Sequence, residues 1–248
     1  MTLTRLNRWI PILNWLGFLG ILITMLMTFF YAPEERTMGN VQRLFYFHVG
    51  TAWVAAISFF VALLCGVLYL RKPNKTLDAI AVASVEIGLV LVTMTIVSGS
   101  VWGRSAWNTY WIWSPRLISI TVMWLVYVAY FMLRGAIDNE ERRGRYSAVY
   151  LVAGFVTVIM VFIAPRLLRD IHPIVFGEVA ETAEGAESGL QDFAPGLESM
   201  RMGITLTVST IGFSLLYLAW LANRLRLQLF QDHAINLRMR LMARLHER

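Results

Sequence analysis

A single cysteine, Cys65, among 248 residues leaves no partner for an intrachain disulfide, no thiolate set for a zinc site and no C-x-x-C-H motif for covalent haem attachment. Charge is equally scarce. Only 15% of residues are Asp, Glu, Lys or Arg, against 57% hydrophobic, and the mean hydropathy is +0.58. Soluble domains average about 25% charged residues, so this composition belongs with membrane proteins. No glycine-rich nucleotide-binding motif is present.

What the chain has instead is long apolar runs. Six are near the roughly 20 residues needed to cross the hydrocarbon core: Ile10 to Tyr31, Leu44 to Leu70, Ile80 to Val101, Leu117 to Leu133, Ala148 to Ala164 and Met202 to Ala222. The first follows Arg5 and Arg8 in the manner of a secretory signal. Its 22 residues exceed the usual signal core and no A-x-A site follows, so it reads as a retained anchor. The third run contains Glu86, an ionisable residue at membrane depth. Such a residue is either functional or hydrogen-bonded within the bundle, and both readings stay open here. With Gly88 and Gly99 nearby, this segment also suits close helix packing.

The expected fold is therefore all-α, an integral membrane protein of six transmembrane helices. The connections between spans carry an uneven charge. Fifteen of the 22 Lys and Arg residues fall on one side, among them Arg71, Lys72, Lys75, Arg142, Arg143 and six arginines from Arg224 onward. By the positive-inside rule that side is cytoplasmic and holds both the N- and C-termini. This topogenic bias accounts for most of the net charge of +6 without nucleic-acid binding. Residues 1–222 form the membrane domain, with an outward tryptophan-rich segment at 102–117 and an outward loop at 166–200. That loop begins basic and turns acidic, from Glu178 to Glu198. Residues 223–248 are a basic amphipathic cytoplasmic tail, suited to the anionic inner leaflet or to a cytoplasmic partner.

The outward segment between the third and fourth spans reads WGRSAWNTYWIWSPRL and holds four of the nine tryptophans. An interfacial aromatic belt explains one or two of these. It does not explain Trp102, Trp107, Tyr110, Trp111 and Trp113 interleaved with small polar residues, a mixture that can lie flat as a stacking platform. Ser114 followed by Pro115 is a helix-start signal, which anchors the segment to the fourth span. Two of the four histidines map to the same outer side. His48 lies about 6 Å inside the second span at 1.5 Å per residue, and His172 follows the fifth. Imidazole ligates haem iron or zinc, and either histidine taken alone also suits a structural role. A flat macrocycle gains from the aromatic surface where zinc does not. Its propionates need cations, for which Arg43 and Arg116 stand near; Arg104 suits lipid phosphate equally well.

The segment resembles the tryptophan-rich WWD signature of haem-handling proteins, and the chain as a whole resembles the haem exporter protein C branch of cytochrome c maturation. On that resemblance, VQRLFYFHVG corresponds to the first histidine motif, with an axial ligand at His48 and its associated arginine at Arg43. The signature falls on Trp102, Gly103, Trp107, Tyr110, Trp111, Trp113, Pro115, Arg116 and Leu117, with Ser114 where the signature has aspartate. The second histidine falls on His172 in RDIHP. The resemblance implies a non-enzymatic haem-handling and transport subunit of the inner (cytoplasmic) membrane. It would hold haem b non-covalently and transiently at the outer face and present it to a periplasmic-type haem chaperone. The implied neighbours are the ATPase and permease subunits of an ABC-type complex and a small membrane subunit. The rival readings are a b-type cytochrome that keeps its haem and a haem-free transporter permease.

Overall fold

The computed structural model describes residues 3–34, 39–168 and 200–246. Its helices are α1 (Leu3–Leu26), α2 (Arg43–Arg71), α3 (Lys75–Trp107), α4 (Pro115–Gly135), α5 (Glu140–Leu167) and α6 (Met200–His246). A π-helical turn, Met27–Tyr31, extends α1, and a 3-10 turn, Asn40–Gln42, leads into α2. No strand occurs among the described residues. All six helices are long and apolar enough to cross a membrane, as their sequence runs predict. The chain is thus a multi-pass membrane protein.

The helices start where polar side chains satisfy their first backbone donors. Asn74 accepts from the Thr76 N–H, Asn139 from Arg142 and Ser114 from Leu117. The ends overrun the hydrophobic runs. α3 continues six residues past Val101 to Trp107, so the first part of the tryptophan segment is helical. α6 has 47 residues, about 70 Å at 1.5 Å per residue, so the helix runs on from the last span to His246.

α2 is the central helix and packs against α3, α5 and α6, while α1 lies along α6 and α4 along α5. The core between them contains Val54, Phe59, Val85, Leu91, Tyr127 and Leu151, with Phe59 stacked on Tyr127 at 3.8 Å. Lipid tails are as apolar as these side chains, so close packing and buried polar pairs hold the helices together. Thr51 and Thr95 join α2 to α3 at 2.9 Å, Ser84 and Tyr217 join α3 to α6 at 2.9 Å, and the Ser209 hydroxyl donates to the Tyr46 carbonyl at 2.7 Å. Glu86 is also paired: the Arg224 fork donates to both carboxylate oxygens, at 2.5 and 2.8 Å. This geometry favours the bundle-residue reading of Glu86, because the charge is offset within the α3/α6 seam.

α1 and α6 touch backbone to backbone at Gly20 and Gly212. A Cβ on Gly212 would stand 2.5 Å from Thr24 Oγ1 and 2.7 Å from the Gly20 carbonyl oxygen. Gly212→Val must therefore push the helices apart. Overpacking of this kind costs about 1–3 kcal/mol, so its thermal unfolding midpoint in detergent should fall below that of the parent. An unchanged midpoint would show that the crossing tolerates separation.

Candidate functional site

The site lies at the end of the bundle where α2 begins, α3 ends and α4 starts. α3 stops because Asn108 adopts the left-handed conformation, with φ of 57°, a common helix C-terminus for asparagine. Arg104 Nη1 donates to both the carbonyl and the side-chain oxygen of Asn108, and its guanidinium lies 5.7 Å from the Tyr110 ring centroid. Arg104 thus fastens the end of its own helix. The Thr109 hydroxyl donates to the Trp111 carbonyl at 3.0 Å, which holds the turn, and Ser114 then starts α4 with Pro115 in its first turn. The linker is pinned at both ends and in its middle.

Behind this linker is a cavity of about 140 Å³. Packed interiors have few voids larger than one water, so a space of this size is no packing defect. Its inner walls are apolar and come from four helices: Ala52, Ala55 and Phe59 of α2, Val92 and Ile96 of α3, Ile120 and Met123 of α4, and Val158, Val161 and Phe162 of α5. Its outer wall contains His48, Trp102, Trp107, Tyr110, Trp111 and Arg116. Tyr110, at 63% exposed, carries the cavity to the surface.

These six candidate binding residues, together with Gly103 and Leu117 of the same signature, therefore share one cavity, although they come from α2, α3, the linker and α4. Trp113 does not line it. It is 71% exposed and meets Trp111 edge to face, with rings 5.8 Å apart and planes 81° apart. Trp102 and Trp107 are also perpendicular, at 5.1 Å and 90°. Within each of these two pairs the rings meet at right angles, so neither pair by itself forms a flat surface. Ring quadrupoles favour this edge-to-face arrangement. Arg43 stands apart as well, 5.8 Å from the Phe29 ring at the π-helical turn. His172 lies outside the described residues.

The structure adds residues that sequence reasoning did not assign to the site. The half-buried His48 ring lies against α3 with Nδ1 3.1 Å from Ser98 Oγ. A Cβ on Gly99 would come within 2.8 Å of His48 Cε1, so only glycine leaves room for the imidazole as it stands. The glycine was visible in the sequence as a packing residue, but what packs there was not. The α5 residues of the back wall carried no signal, because they read as ordinary span residues.

Among the described residues one imidazole, His48, lines the cavity, and this limits the metal chemistry. Among the described residues no three His, Cys, Asp or Glu side chains come together as a metal site. Protein-bound zinc takes three or four protein ligands, whereas a porphyrin already supplies four nitrogens to its iron and needs only axial ligands. An imidazole, aromatic walls, apolar depth and a guanidinium at the rim suit a porphyrin with carboxylate side chains.

The model of the family described as Heme exporter protein C matches residues 1–240. The chain belongs to this family. Its relatives include Heme exporter protein C of Paracoccus denitrificans, 27% identical over 151 residues that cover 60% of this chain and 63% of the relative. Heme exporter protein C of Escherichia coli K12 is 30% identical over 148 residues, 58% of this chain and 59% of the relative. A putative cytochrome c biosynthesis ccmC-like mitochondrial protein of Marchantia polymorpha is 23% identical over 159 residues, 63% and 67% of the two chains. The chain thus spans about six-tenths of the length of the two bacterial relatives.

Proposed function

We propose that this chain binds haem b as a transient, non-covalent cargo at the outer face of the cytoplasmic membrane and hands it to a periplasmic-type haem chaperone for cytochrome c maturation. The observation that carries this reading is the single cavity onto which His48, the tryptophan linker and Arg116 all open. His48 supplies an axial ligand to the iron, and Trp102, Trp107, Tyr110 and Trp111 enclose the macrocycle. Arg116 pairs with a propionate. Trp113 and Arg43 lie beyond the cavity wall, where they meet the arriving or departing haem. His172 supplies the second axial ligand. The chain acts as a handling subunit beside an ABC-type ATPase and permease, with a small membrane subunit as a further neighbour.

The handover is tested by loading the purified chain with haemin and adding an apo haem-binding chaperone. Haem should leave for the acceptor, and retention of all haem would point to a resident b-type cytochrome. The same account puts residues 108–114 outside and 136–139 inside. In a Cys65→Ala background, Ser105→Cys should react with an impermeant maleimide from the outer side and Asp138→Cys only from the inner side. The opposite pattern would invert the topology and remove the site from the face that a periplasmic partner can reach.

A further inference from the structure

We propose that Ser98 is a positioning residue that fixes the tautomer and orientation of His48, leaving Nε2 as the nitrogen that binds iron; this rests on the haem reading above. The argument is a count of protons. Ser98 Oγ lies 3.1 Å from the Thr95 carbonyl oxygen and 3.1 Å from His48 Nδ1. A serine hydroxyl has one proton and a carbonyl can only accept, so that proton goes to Thr95 and a lone pair of Oγ faces the imidazole. His48 Nδ1 must then be the donor. In the neutral ring only one nitrogen is protonated, so Nε2 keeps its lone pair.

The surrounding contacts hold the ring in this orientation. Gly99 lets the ring lie against the α3 backbone, where any larger side chain would displace it. Thr51, one turn after His48, bonds to the carbonyls of Phe47 and His48 at 2.9 and 3.0 Å and to Thr95 Oγ1 at 2.9 Å. The start of α2 is thereby tied to the α3 turn that carries Ser98. A hydrogen bond from Nδ1–H to an acceptor also makes Nε2 a stronger donor to a metal, the usual effect of an outer partner on a ligating histidine.

The test is haemin titration and redox potentiometry on the purified full chain in nanodiscs. Loss of an outer partner costs a ligating histidine about 10- to 100-fold in affinity, and a neutral hydroxyl belongs at the low end. Ser98→Ala should weaken haemin binding about tenfold and raise the midpoint potential, because a less basic imidazole stabilises ferric iron less. Ser98→Thr, which keeps the hydroxyl, should restore both. Adding Ser98→Ala to His48→Ala should change affinity no further. Parent-like affinity and potential in Ser98→Ala, failure of Ser98→Thr to restore them, or an equal effect in the His48→Ala background would each overturn the inference. If His48→Ala itself leaves the haem spectrum intact, the haem reading fails and the inference with it. If His48→Ala abolishes the spectrum while Ser98→Ala is silent, only the inference fails.

Discussion

His48→Ala should abolish the Soret band of haemin-loaded protein at stoichiometric haemin while leaving expression and membrane insertion at parent levels. The ligand itself is removed, so the loss of affinity should exceed the roughly 10- to 100-fold that changes around a ligand produce. Insertion depends on the six apolar spans, which the substitution leaves intact. His48 stands near the start of α2, beside Ser98 and against Gly99, and alanine is a strong helix former, so the helix has no reason to unwind. An unchanged Soret band would remove His48 from the site.

The second large effect is expected from the tryptophans, and the structure divides them. Trp107 and Trp111 line the cavity, while Trp113 stands outside it at 71% exposed. Replacing Trp107 and Trp111 together by leucine keeps the walls apolar but removes two aromatic contacts, each worth about 0.5–1.5 kcal/mol beyond buried area. The double variant should therefore bind haemin about 5- to 140-fold more weakly. Trp113→Leu alone should leave affinity within about twofold and act, if at all, on the rate of transfer to an acceptor. Equal losses from Trp113→Leu and from the double variant would mean that the cavity wall is not what holds the ligand.

The division among the tryptophans also shows where the sequence ran out. Six spans could be read from hydropathy, because crossing a bilayer demands length and apolarity that nothing else in the chain imitates. The helix start at Ser114 and Pro115 was equally legible, since capping is local chemistry. Which side chains meet depends on packing between helices, and sequence spacing constrains that only within one helix. Arg43 and His48 were read as contacts of one ligand, but their nearest polar and aromatic neighbours, Phe29 for Arg43 and Ser98 for His48, could not be read from their spacing. Glu86 was visibly costly at membrane depth, but its partner Arg224 lies 138 positions away. Ser98 and Gly99 gave no sign of their role, because small residues recur throughout transmembrane helices for packing alone. The rings of the tryptophan segment were countable, but their mutual angles depend on side-chain packing, and α3 ends within the segment at Asn108, a residue whose left-handed conformation the sequence permits without requiring.

The central claim is that the cavity between the start of α2 and the tryptophan linker is where haem sits. A cryo-electron microscopy map of the full chain loaded with haemin tests it most directly. The account predicts planar density in that cavity, with the iron bonded to His48 Nε2, Trp107 and Trp111 against the macrocycle and a propionate beside Arg116. Haem density elsewhere on the chain, with the cavity closed or filled by side chains, would contradict it.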